Sequence, residues 1–145
     1  MNTTHAGEYL LFGIGEEQYG IDILKVKEIR SYTEPTRMAN APAHYKGIID
    51  LRGQIIPIID ARIKFNLDKV IYNDTTVVIV ITVTNADIGL VVDTVNEVVT
   101  YDAEEIQDAP KLDNDVSSVI GIGSKQDCKM AILIDAVLFM NDIKS

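Results

Sequence analysis

Gly47-Ile48-Ile49-Asp50-Leu51-Arg52-Gly53-Gln54-Ile55-Ile56-Pro57-Ile58-Ile59-Asp60 consists of two isoleucine-rich runs separated by an Arg-Gly pair. The pattern predicts a hairpin, Gly47 to Leu51 and Gln54 to Ile59: isoleucine suits a pleated surface, and glycine accepts the angles of a tight turn. Pro57 cannot donate to a ladder, so it is expected at an edge or a bulge. Asp60 is placed to cap a short helix through Phe65, its carboxylate accepting from first-turn amides. Arg52 stands at the tip. Held by a short, stiff turn, it would lose little freedom on binding and offer a planar fork of donors; a solvated turn residue is the plainer reading.

Parts of this plan recur. Ile59-Asp60-Ala61, before residues 62–65, is echoed by Ile134-Asp135-Ala136, before residues 137–140, at an offset of 75. Tyr19-Gly20-Ile21, followed by Val26, Glu28 and Ile29, is echoed by Ile88-Gly89-Leu90, followed by Val95, Glu97 and Val98, at an offset of 69. Two β-rich repeats, 1–75 and 76–145, follow. In the first, Tyr9 to Ile14 and Gln18 to Ile23 read as a hairpin around Gly15-Glu16-Glu17, and Val26 to Tyr32 as a third strand after a turn at Leu24-Lys25. That strand would set Val26, Glu28 and Arg30 on one face and Ile29 on the other. Thr33 to Tyr45 reads as a loop, with one helical turn near Ala43.

The second repeat has the same grammar. Thr76 to Thr84 is nearly all apolar, which suggests burial on both faces. Asn85-Ala86-Asp87 turns the chain into Ile88 to Val92, and Val95 to Tyr101 follows. Asp102 to Ser118 is acidic loop, with a helical turn possible over Ala103 to Gln107. Val119 to Gly123 and Lys129 to Ile134 form the last hairpin, and Asp135 caps a C-terminal helix. Ten short strands in two sets of five, each set followed by a helix, argue for paired small barrels over one large sandwich.

Composition narrows the function. A chain of 145 residues buries about 68–70% of its extended surface, enough for a core without staples. The single cysteine, Cys128, fits a reducing compartment, and Met1 to Glu8 has no signal-peptide pattern, which makes the cytoplasm the expected location. No run approaches the roughly twenty apolar residues that span a bilayer, so direct membrane insertion is not expected. The net charge of −9 opposes nucleic acid as a partner. It is unevenly placed: residues 1–69 carry nine Lys/Arg and nine Asp/Glu, and residues 70–145 carry four and thirteen.

Catalytic equipment is sparse. Gly13-Ile14-Gly15 and Gly121-Ile122-Gly123 lack the third glycine and helix of a nucleotide loop. His5 and His44 show no metal-ligand spacing. Cys128 has a lysine neighbour but no histidine close in sequence, and Glu104-Glu105 with Asp113 and Asp115 lack the pattern of a calcium loop. No cofactor, metal or catalytic residue is expected, and the chain reads as a binding module rather than an enzyme.

Tyr19-Gly20-Ile21-Asp22 with Val26, Glu28 and Ile29, the Gly47 to Gly53 segment, and Pro57-Ile58-Ile59-Asp60 with Arg62 together resemble CheW, the bacterial chemotaxis coupling family, from about Glu8 to Ile143. The resemblance implies a mainly β fold of two SH3-like five-stranded barrels with exchanged strands, one from about 18 to 84 and a permuted one from 9–14 plus 86–134. It implies an adaptor joining chemoreceptor cytoplasmic tips to the histidine kinase CheA through the kinase's regulatory domain. The protein-binding candidates it carries over are Val26, Glu28, Gly47, Arg52 and Val77, with Gly89, Val95 and Val98 in the second repeat. An apolar groove edged by Val26 and Val77 would take the receptor's helical hairpin. One departure stands out: the family usually has asparagine where this chain has Asp50. A carboxylate there either pairs with Arg52 or weakens a turn bond that the amide supplied. The alternatives are a CheW-like domain cut from a larger chemotaxis protein and a ligand-binding β-barrel module.

Overall fold

The computed structural model describes residues 5–64, 71–108, 119–125 and 130–139. Cys128, Asp113, Asp115 and the ends of both expected helices, at Phe65 and beyond residue 139, lie outside them. The strands are β1 (Gly7–Ile14), β2 (Glu17–Asp22), β3 (Val26–Ser31), β4 (Tyr45–Leu51), β5 (Gln54–Asp60), β6 (Val77–Val83), β7 (Ala86–Val92), β8 (Thr94–Tyr101), β9 (Ile106–Gln107), β10 (Val119–Gly123) and β11 (Ala131–Ile134). A short helix, α1 (Ala61–Lys64), follows β5, and single 3-10 turns occupy Ile23–Lys25 and Ala103–Glu105.

Local chemistry explains these boundaries. Three hairpins turn on two residues, Gly15-Glu16, Arg52-Gly53 and Thr84-Asn85, and in each the first residue has positive φ: 62°, 53° and 57°. This left-handed start matches the twist of the flanking strands. Asp60 caps α1 as expected, its Oδ1 accepting from the Arg62 amide at 3.0 Å. Asp135 does the same for helical residues 136–139, accepting from the Leu138 amide at 3.0 Å. Ala103 to Gln107, expected as a helical turn, divides into a 3-10 turn and β9. At Ala43 the chain makes only a turn, closed by the Tyr45 amide on the Pro42 carbonyl at 3.0 Å.

The strands form a six-stranded sheet, β8-β1-β2-β11-β10-β9, and a five-stranded sheet, β3-β6-β7-β5-β4. The fold is mainly β in two units, as expected, with strands exchanged between the sequence halves. The allocation differs from the expected bounds by one strand on each side: β2 lies with β1, and β7 with β6. A two-residue turn cannot bridge two sheets, so each tight hairpin stays whole. The exchange is made instead by two parallel pairs, β5 with β7 (Ile58 opposite Gly89) and β11 with β2 (Leu133 opposite Gly20). Both glycines belong to the repeated motif. A Cβ at Gly20 would stand 2.8 Å from Leu133 Cδ2, and one at Gly89 would stand 2.6 Å from Ile58 Cδ1.

Neither sheet closes by a ladder between its end strands among the described residues. In the five-stranded sheet, the chain beyond β3 curls back so that Thr36 exchanges two 2.9 Å bonds with Ile48 of β4. Pro57 is not on an edge strand, since β5 lies between β4 and β7. Its partner Ile48 turns its amide and carbonyl outward to Thr36, so Pro57 occupies a non-hydrogen-bonded position, and the ladder to β7 begins only at Ile58.

Alternation along the strands builds three apolar clusters. Leu11, Tyr9, Val99, Tyr101 and Leu133 fill the six-stranded unit, and Leu51, Ile56, Ile58, Val78, Val80 and Val91 fill the five-stranded one. The intervening positions, among them Leu10, Phe12, Ile21, Ile79, Ile81, Leu90 and Ile134, meet in a central core fed by both sheets. The continuous apolar run of β6 follows from this: Val78 and Val80 serve one core, Ile79, Ile81 and Val83 the other.

Candidate functional site

Arg52 and Gly53 have φ of 53° and 86°, the two positive values of a type I′ turn. A non-glycine residue in that region costs about 1–2 kcal/mol, so Arg52 is held under strain by the hairpin around it. Asp50 Oδ1 accepts from the Gly53 amide at 2.8 Å. Asp50 therefore braces the turn and leaves Arg52 free to pair elsewhere. The partner is Glu28: Arg52 Nη2 donates to Glu28 Oε1, with the arginine side chain 71% exposed and the glutamate 24%. Glu28 lies on β3 and Arg52 at the β4–β5 tip, so the pair ties together the two free edges of the five-stranded sheet.

Glu28 reaches this position through a bulge. The β3–β6 register shifts between Val26 and Glu28, opposite Ile81 and Val80. The extra residue, Lys27, donates to Asp87 Oδ2 at 2.6 Å, and Thr82 donates to Asp87 Oδ1 at 2.6 Å. Hydrogen bonds from Lys27 and then Thr82 hold the Asp87 carboxyl below the usual carboxylate range, against the opposing effect of burial. The bulge also corrects the face assignment: Val26 shares its face with Ile29, opposite Glu28 and Arg30. Ile29 is 45% exposed on this edge strand and joins the candidate residues.

The same device appears on β8. The β1–β8 register shifts between Leu10 and Phe12, opposite Val98 and Val95, so these two valines share the face of the central core. Val95 is partly buried against that core, and Val98 is 46% exposed. The repeated Val-x-Glu-Ile/Val motif thus builds a bulged edge strand twice, each with one solvent-facing branched side chain.

The remaining candidates scatter. Val77 packs on the central core opposite Ser31, four residues and ~13 Å along β6 from Ile81, the partner of Val26. Val26 and Val77 therefore do not face each other across a single groove. Gly47 is buried, with φ 142°, and a Cβ there would meet the Thr36 carbonyl oxygen at 2.1 Å. Gly89 is buried beneath Ile58 and Val78. Packing demands glycine at both positions, and at Gly47 the positive φ adds to that demand.

Sequence reasoning did not reveal a buried ion network between the two units. Arg62, 1% exposed, donates from Nε and Nη2 to both Asp60 oxygens at 3.0 and 2.9 Å, and from Nη1 to Asp93 Oδ1 at 2.8 Å and the Ile71 carbonyl at 2.8 Å. Tyr72 donates its hydroxyl to Asp60 Oδ2 at 2.6 Å. Burial would lower the Arg62 pKa, but the bonds to Asp60 and Asp93 outweigh it and raise it; burial and then Asp60 raise that of Tyr72. Asp93 Oδ2 also accepts from Gly15 of the β1–β2 turn at 2.7 Å, linking the network to the other sheet. Every buried side-chain polar atom among the described residues is satisfied. No group of three or more metal-ligating side chains is found among them, and no helix there is long and apolar enough to cross a membrane.

A family model described as the CheW-like domain matches residues 8–144. The chain is 45% identical over 130 residues to the chemotaxis protein CheW of Klebsiella aerogenes, covering 88% of this chain and 78% of that protein. It is 34% identical over 130 residues to the chemotaxis protein CheW of Bacillus subtilis, covering 88% and 82%. The crystal structure of the scaffolding protein TtCheW from Thermoanaerobacter tengcongensis superposes with a TM-score of 0.83 at 33% identity, covering 92% of each chain.

Proposed function

The chain belongs to the CheW-like domain family of chemotaxis proteins, and we propose that it is a non-catalytic cytoplasmic adaptor coupling chemoreceptor tips to the regulatory domain of the histidine kinase CheA. The observation that carries this reading is the Arg52 hairpin: a guanidinium exposed at a strained, braced tip, pre-oriented by Glu28. Such a group sets register and rejects wrong partners more than it adds raw affinity. The two bulged edge strands supply apolar contacts beside it. The β3 edge, with Val26 and Ile29 on one side and Glu28 paired to Arg52 on the other, is one docking surface, and Val95 with Val98 on β8 is a second. These surfaces lie on different sheets, which supports two separable interfaces.

Binding to a receptor cytoplasmic fragment and to CheA, each measured with the purified chain, tests the proposal. Arg52→Ala is expected to weaken one partner by about tenfold or more. Its stability should fall by less than about 1 kcal/mol, because the ion pair is largely exposed. Val98→Asp should weaken the partner that Arg52→Ala leaves intact. Unchanged affinity of both variants for both partners would refute the assignment.

A further inference from the structure

At the end of the five-stranded sheet away from Arg52, where Ser31 faces Val77, the chain forms a half-open cavity of about 330 Å³ lined by Tyr32, Glu34, Pro35, Arg37, Lys46 and Tyr72. Its wall is π-rich. Tyr32 and Tyr72 stack with ring centroids 4.5 Å apart, and Lys46 Nζ lies 5.2 Å from the Tyr72 centroid. The stack is fixed from behind by the buried network: the Arg62 guanidinium is 4.8 Å from the Tyr72 centroid, and the Tyr72 hydroxyl is committed to Asp60. Tyr32 is anchored through its backbone amide, which donates to the Thr76 carbonyl at 3.1 Å.

On the open side, Lys46 meets the Tyr72 ring but no carboxylate among the described residues. Neither Arg37 nor Lys46 has an ion-pair partner among the described residues, and the Tyr32 hydroxyl makes no hydrogen bond there. Three donors, two of them cationic, thus face one carboxylate, Glu34. In a chain of net charge −9, a pocket that is itself net positive runs against the overall field. The cavity falls within the size range of small-ligand sites, and its mix of aromatic wall and few polar groups matches their usual make-up.

We propose that this cavity binds a small planar ring carrying one oxyanion, of the size of a single-ring aromatic carboxylate. The anion would accept from Arg37, Lys46 and the Tyr32 hydroxyl, and the ring would lie along the tyrosine stack and Pro35. Glu34 disfavours ligands with a second negative charge. Arg62 takes no direct part, because its donors are committed to Asp60, Asp93 and the Ile71 carbonyl.

The site lies apart from the Arg52 hairpin, so the test uses the isolated chain and is independent of partner binding. Amide NMR shifts are followed during titration with sodium benzoate at constant ionic strength, with sodium acetate and phenol as separate arms. Saturable benzoate shifts centred on residues 32–37 and 46 are expected, with acetate and phenol each weaker by about tenfold or more. Arg37→Gln at an exposed side chain and Lys46→Gln at a half-buried one should each weaken benzoate by about tenfold while leaving the spectrum beyond their own neighbours unchanged. Any of three results overturns the proposal: no saturable benzoate shift, acetate or phenol matching benzoate, or benzoate affinity unaffected by both substitutions.

Discussion

Removing Arg62 while keeping its volume gives the sharpest test of how the two units are held together. Arg62→Met retains an unbranched side chain in the space but leaves the Asp60 carboxylate, 0% exposed, without two of the four bonds that now satisfy it. The Tyr72 hydroxyl and the Arg62 main-chain amide still donate to Asp60, so the carboxylate is under-paired rather than bare. Breaking one side of a buried pair costs about 3–5 kcal/mol. For a chain of this size that corresponds to a fall of about 9–15 °C in Tm. Asp93 adds little to the loss, since its side chain is 36% exposed and keeps the Gly15 amide. The double variant Asp60→Asn/Arg62→Met removes the buried charge and preserves the helix cap, because an amide oxygen also accepts from the first turn. It should recover to within about 1.5 kcal/mol of the wild type, as buried pairs often break even against neutral replacements. Urea denaturation of the wild type, both single variants and the double variant yields the coupling energy directly. An Arg62→Met loss below about 1 kcal/mol, or losses that add without coupling, would refute the account of a charge-paired seam.

Gly20→Ala and Gly89→Ala should each cost about 1–3 kcal/mol by overpacking, read as urea midpoints, since a methyl group would press on buried Leu133 and Leu11 in one case and on Ile58 and Val78 in the other. Gly47→Ala should cost about 3 kcal/mol or more, because the obstacle is the Thr36 backbone and φ is 142°. A soluble, near-wild-type Gly47→Ala protein would contradict the close approach described. Asp87 is depressed in the folded state, so its stabilising contribution is present above the unfolded value of about 3.9 and is lost as pH falls through the lower folded value. Asp87→Asn should accordingly flatten the acid limb of a stability profile measured from pH 6 downward; an unchanged slope would count against the Lys27–Asp87–Thr82 cluster.

The hairpins were legible because their turns are short and chemically marked. Arg52-Gly53 and the Gly15-Glu16 turn announce a reversal, and the apolar run of β6 correctly implied two buried faces. The Asp60 and Asp135 caps were legible for the same local reason. What the sequence hid depends on register. A bulge adds one residue without any compositional mark, so the alternation of β3 could not reveal that Val26 and Ile29 share a face. The strand exchange that the resemblance implied was misplaced by one strand on each side, and the alternation of β2 and β7 could not correct it, because alternation marks the buried side of a strand and not the sheet it joins. The Arg62 network draws on residues 60, 62, 72 and 93 from separate elements, and periodicity carries no trace of such a meeting. Ile29 could have been found from the repeat itself, as the counterpart of the candidate Val98, each lying just beyond an equivalent glutamate.

The exchange of strands has a mechanical consequence for the two docking surfaces proposed on this small chain. Each unit's private cluster is small, and the central core takes side chains from β1, β2 and β11 of one sheet and β5, β6 and β7 of the other. Neither sheet can separate without exposing that shared core. The two parallel pairs cross between sequence halves at repeated glycines, so pulling one half away would unzip a strand from both sheets at once. Asp93 adds a polar tie at the β7–β8 crossing, bonded to Arg62 on one side and to the Gly13 carbonyl and Gly15 amide on the other. β3 and β8, the edge strands that present Ile29 and Val98, are therefore fixed to one rigid body. The load between partners bound there would pass through packed side chains and paired strands and not through a flexible linker.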